Sequence, residues 1–91
     1  MKLNDREYRI ARAVCSTDNA PLSQKEIAAS IGVNQCTLSS TIKTLCQIMG
    51  LIDADERSHV SRTRMVIAAH KAGGFDQLAT LMGISLPVVA R

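Results

Sequence analysis

Aromatic side chains are nearly missing from this 91-residue chain, which has one Tyr, one Phe and no Trp. Aliphatic packing must therefore supply the stability, at about 1.5–3 kcal/mol for each Val, Leu, Ile or Met that is buried. That favours helices over a β-sandwich. The same scarcity argues against single-stranded nucleic acid as a ligand, because such binders stack bases on aromatic platforms. Duplex DNA fits better. The three cysteines, Cys15, Cys36 and Cys46, contain no C-x-x-C pair, and the chain has neither a signal-peptide pattern nor an apolar run long enough to span a bilayer. A reducing cytoplasm is the expected compartment, at the nucleoid if DNA is the partner, with no membrane contact.

Motifs that carry chemistry are also missing. With no phosphate-cradling glycine loop, nucleophile elbow or H-E-x-x-H, catalysis has no residues to assign, and an enzyme is not expected. His59 and His70 show no paired ligand spacing with each other or with a cysteine. Asp53, Asp55 and Glu56 lack the glycine and the twelfth-position glutamate of a calcium loop. No cofactor or metal is expected. The net charge of +3 helps an approach to phosphates but is far from that of a polycation.

What is present is a spacing. Ala28, Gly32 and Leu38 stand four and six residues apart inside Pro21-Leu22-Ser23-Gln24-Lys25-Glu26-Ile27-Ala28-Ala29-Ser30-Ile31-Gly32-Val33-Asn34-Gln35-Cys36-Thr37-Leu38. A small residue where two helices cross, a turn residue that tolerates positive φ and a leucine that buries the second helix together read as a helix-turn-helix. Such a unit usually offers its second helix to the DNA major groove. Ser23 and Glu26 form a Ser-x-x-Glu capping box, with Leu22 and Ile27 placed as a hydrophobic staple, so this helix starts at about Gln24. The next helix, from about Gln35 to Met49, repeats Leu38, Ile42, Leu45 and Met49 as one buried stripe and leaves Gln35, Ser39, Ser40, Lys43 and Gln47 on the other side.

The flanking segments are read in the same way. A first helix is expected from about Asp5 to Cys15, capped by Asn4 or Asp5, with Tyr8, Ile10, Ala11 and Val14 as its apolar stripe. Its Arg6, Arg9 and Arg12 make a basic edge that either meets phosphates or is simply solvated. Residues 53–58 read as a charged loop, after which Ser61 can cap a fourth helix running to about Ala72, before the Gly73-Gly74 stop. Met65, Ala68, Ala69 and Ala72 form a small-residue face there, which either packs on the core or lets two protomers pair. The tail repeats the four-and-six spacing at Ala79, Gly83 and Val89, but Pro87 and the short remaining length favour a structural helix over a second DNA reader.

The chosen residues suit DNA. Gln35 can offer its amide to adenine, Ser39 and Ser40 can reach bases or phosphates, and Lys43 can meet a phosphate or guanine. Thr37 at the helix start can bond a phosphate beside exposed backbone N–H groups. The bland alternative is an ordinary polar helix face.

The runs Leu3 to Ile10, Ser23 to Ala28 and Gly32 to Leu38, followed by Leu45, Met49-Gly50-Leu51 and Arg62-Thr63-Arg64-Met65-Val66, resemble the LuxR/GerE-type DNA-binding domain over about residues 3–73. The resemblance implies a four-helix domain that binds DNA as a dimer, with its third helix in the groove and its fourth often pairing. It implies groove-facing roles for Ser39, Ser40 and Lys43, and phosphate contacts for Lys25 and Thr37. Thr41 stands where that family usually has His, and Ser39 where a basic residue is frequent. The family's sensory or receiver domain has no counterpart here.

The expectation is an all-α bundle of four to five helices containing a helix-turn-helix, with residues 1–74 as the DNA-binding domain and 75–91 as a helical extension packed on it. A winged helix, with residues 50–52 and 61–67 as strands, is the alternative fold. A sequence-specific double-stranded DNA-binding transcriptional regulator, acting as a homodimer, is the leading function. The alternative is a protein-binding antagonist or adaptor of another transcription factor.

Overall fold

The computed structural model describes residues 2–19, 21–52 and 58–87. Five α-helices follow in order: α1 (Asp5–Cys15), α2 (Gln24–Ile31), α3 (Gln35–Ile48), α4 (Ser58–Ala72) and α5 (Phe75–Leu81), with a short 3₁₀ turn at Thr17–Asn19. Each start has a local cause. Asn4 and Glu7 exchange backbone-to-side-chain hydrogen bonds of 3.0 and 2.8 Å at the head of α1, and Ser23 and Glu26 do the same at 3.1 and 3.2 Å for α2. Both capping boxes satisfy amides that would otherwise lack partners.

The apolar stripes meet in one core. Ile10, Ala11 and Val14 from α1, Ile27 and Ala28 from α2, and Leu38, Ile42, Leu45 and Cys46 from α3 are buried together with Met65 and Ala69 from α4. Phe75, Leu78, Ala79 and Ile84 join the same cluster, so the α5 region shares this core. Helix α4 is central, packing against α3, α1 and α5. The two aromatic rings meet where α1 passes α5, with Tyr8 and Phe75 centroids 6.3 Å apart, the Tyr8 hydroxyl donating to Asp76 Oδ1 at 2.8 Å and the Arg12 guanidinium 5.4 Å above the Tyr8 ring.

Two expectations are corrected. No strand forms among the described residues, and Ser61 to Ile67 lie inside α4, which removes the winged-helix alternative. Helix α4 begins at Ser58, so Ser61 is no cap. It is a buried core residue beneath α3, where the Cys46 thiol donates to its carbonyl oxygen at 3.2 Å. The stretch 53–57 and the His59 side chain lie outside the described residues.

The tail echo is structural up to its turn. Gly32 and Gly83 have φ of 73° and 72°, and the amide after each returns to the buried alanine carbonyl: Val33 N to Ala28 O at 3.0 Å, Ile84 N to Ala79 O at 2.9 Å. Only glycine takes this left-handed conformation without steric cost. Beyond the turn the two copies diverge. Asn34 starts α3, whereas Pro87 keeps the preceding residue out of the helical region. Ser85 instead pairs with the N-terminal segment, its carbonyl accepting from Leu3 N at 3.0 Å. Val89 lies outside the described residues.

Candidate nucleic-acid interface

Helix α3 presents the candidate surface because α2 crosses it at the small, buried Ala28 and the Gly32 turn redirects the chain at once. Its inner side is Leu38, Ile42, Leu45 and Cys46. Its outer side exposes Cys36, Ser40, Thr44 and Gln47, with Lys43 half-buried along the flank, and Gln35 is exposed at the first turn, above the stripe that continues in Leu38 and Ile42. The helix contains no acidic residue. Lys25 is exposed on the first turn of α2, and neither Lys25 nor Lys43 is held in a hydrogen bond or ion pair among the described residues. The Glu26 carboxylate, next to Lys25 in the chain, is turned back onto the Ser23 amide.

Individual residues fare differently. Ser40 is exposed and available. Ser39 is half-buried and donates its hydroxyl to Gln24 Oε1 at 2.5 Å, a bond across 15 residues that ties α3 to the first turn of α2. Ser39 therefore positions Gln24, whose amide joins the surface through a contact that no local spacing announces. Thr37 is half-buried, and the expectation of free amides beside it is corrected. Asn34 Oδ1 accepts from Cys36 N at 2.8 Å and from Thr37 N at 3.2 Å, so the start of α3 is already capped. Thr44, one turn after Ser40, belongs to the exposed row and was legible as the next polar position at helical spacing.

The expected pairing face of α4 is largely consumed within one chain. Met65 and Ala69 are 0% and 2% exposed, while Ala68 and Ala72 are half-buried against the same core. Of the two readings of that face, packing on the core is the one observed. On α1, Arg9 is exposed on the side opposite Ala11 and Val14, Arg6 is exposed at the first turn, and Arg12 lies over Tyr8. Burial first, then the hydrogen bond and charge of Asp76, pushes the Tyr8 phenol above its ordinary 10.0, against the opposing pull of Arg12.

No group of three or more His, Cys, Asp or Glu able to hold a metal ion occurs among the described residues. None of the described helices is long and apolar enough to cross a membrane. Comparison of the chain with protein-family models, with curated proteins and with solved structures finds no match in any of the three.

Proposed function

We propose that the protein is a sequence-specific, double-stranded DNA-binding transcriptional regulator of the cytoplasm and nucleoid that lays α3 in the major groove and works as a homodimer. The observation that carries this reading is an acid-free α3 on which Ser40 and Thr44 are exposed beside the half-buried Lys43, with Gln35 exposed at its first turn, while its other side anchors the core. Gln24 is bonded to Ser39 of α3, and the next residue, Lys25, is exposed on the same turn of α2 as a candidate phosphate contact. The resemblance to the LuxR/GerE-type domain, strongest from Ser23 to Leu51, supports the same assignment.

Selection of duplexes from a random library, followed by fluorescence anisotropy across a salt series, tests it. Binding weakens steeply with salt, and Lys43→Ala lowers the log–log salt slope by about 1 if Lys43 meets a phosphate. Ser40→Ala leaves that slope unchanged and alters the selected sequence. Failure to retain any duplex at low salt overturns the reading. A second reading, a protein-binding antagonist or adaptor of a transcription factor, draws on Leu81 and Met82, which are 75% and 43% exposed at the end of α5. Capture of a transcription factor that survives substitution of Ser40 and Lys43 but not of Leu81 favours it.

A further inference from the structure

The end of α1 and the last two turns of α4 enclose a groove of about 620 Å³, within the range of roughly 300–1,000 Å³ typical of small-molecule sites. Its apolar surface comes from Cys15, Val66 and Ile67, the last 48% exposed on the outer flank of α4. Burial, with a smaller contribution from Cys46, pushes the Cys15 thiol up to about 12, in keeping with a wall of low polarity. Thr17, His70 and Lys71 supply the polar rim, and among the described residues no acidic side chain lines the groove.

Two electrostatic effects compete at that rim. Both helices end here, and helix C-termini carry about half a negative charge each. Three of those carbonyls are already engaged: Gly73 N and Gly74 N donate to His70 O and Ala69 O at 3.2 and 2.7 Å, and the Asn19 side chain donates to Ala13 O at 2.9 Å. Lys71 carries a full charge, is exposed, and is held by no hydrogen bond or ion pair among the described residues. The uncompensated ammonium decides the sign.

We propose that this groove binds a small amphipathic acid, a free carboxylate whose apolar body covers Cys15, Val66 and Ile67 and whose acid group pairs with Lys71. The inference does not rest on the DNA reading, since none of these residues belongs to α2 or α3.

Titrating the full chain with anilinonaphthalene sulfonate, an apolar anion, gives a saturable single-site fluorescence rise that octanoate displaces and octylammonium does not. Lys71→Glu weakens octanoate by about fivefold or more, as expected for one exposed ion pair, and turns the preference toward octylammonium. Ile67→Glu abolishes anion binding. Both side chains are exposed, so circular dichroism and the thermal midpoint stay unchanged. The proposal is overturned if binding never saturates, if both competitors displace the probe equally, or if neither substitution changes the displacement. It also falls if sedimentation shows a dimer that Ile67→Glu breaks and octanoate leaves intact, which would make the groove an interface between copies.

Discussion

Ser61 sits in the contact between α3 and α4 with its hydroxyl oxygen fully buried and unpartnered among the described residues. A buried hydroxyl without a partner costs about 1–3 kcal/mol of desolvation. Its small volume explains its presence, because the Cys46 thiol comes within 3.2 Å of the Ser61 carbonyl oxygen and a larger side chain would separate the helices. Ser61→Ala removes the orphaned oxygen, keeps the volume and improves helix propensity, so it stabilises by about 1 kcal/mol. Urea denaturation reads this as a higher midpoint at unchanged slope. Ser61→Val adds carbon to a closed contact and destabilises by about 1–3 kcal/mol. A midpoint lowered by Ser61→Ala would mean that the hydroxyl is satisfied after all. The sequence misleads at this position because serine is a common cap residue. Its real setting shows only in the spacing Ser61, Met65, Ala69 and Ala72, where a polar residue stands in a stripe of core positions.

Helices α2 and α3 were legible in detail because their signals are local. The Ser23–Glu26 box, the Gly32 turn and the Leu38, Ile42, Leu45 stripe all lie within a turn or two of the structure they cause, and each is found where the spacing places it. The Ser39–Gln24 bond was not legible, because it joins two helices through a crossing angle that no residue encodes alone. Nor was the double duty of Asn34, which caps two amides and so withdraws them from any anion. Asn34 also separates folding from binding experimentally. Asn34→Ala frees both amides and lowers stability by about 1 kcal/mol, with hydrogen exchange accelerating first at Cys36 and Thr37. Asn34→Asp keeps the acceptor and complements the helix dipole, so stability is retained. Yet it places a carboxylate at the end of α3 proposed to approach phosphates, and duplex affinity falls. Equal affinity for the Asp variant and the native chain would argue that this end of α3 does not face DNA.

On the scale of the whole molecule, an almost purely aliphatic core has a consequence for pH. Two thiols belong to it or pack against it, Cys46 buried and Cys15 half-buried, and burial pushes Cys15 from 9.0 up to about 12 and Cys46 up to about 11. Tyr8, raised by burial and by Asp76, acts in the same direction. A group whose folded value lies above its unfolded value binds its proton more tightly in the folded state. The stability linked to it is therefore complete below the unfolded value and is lost as pH rises through the folded one. For the thiols this window opens near 9.0 and closes at about 11 for Cys46 and about 12 for Cys15. Within it each thiol contributes a slope of at most about 1.4 kcal/mol per pH unit, and less for the half-buried Cys15. Denaturation midpoints measured from pH 7 to 11 stay level to about 9 and then fall. Cys46→Ala starts lower at pH 7, because it opens a small cavity, but its curve falls less steeply above pH 9 than that of the native chain. Parallel curves for the two proteins would show that Cys46 ionises in the folded state as readily as in water, and that the core around it is open to solvent.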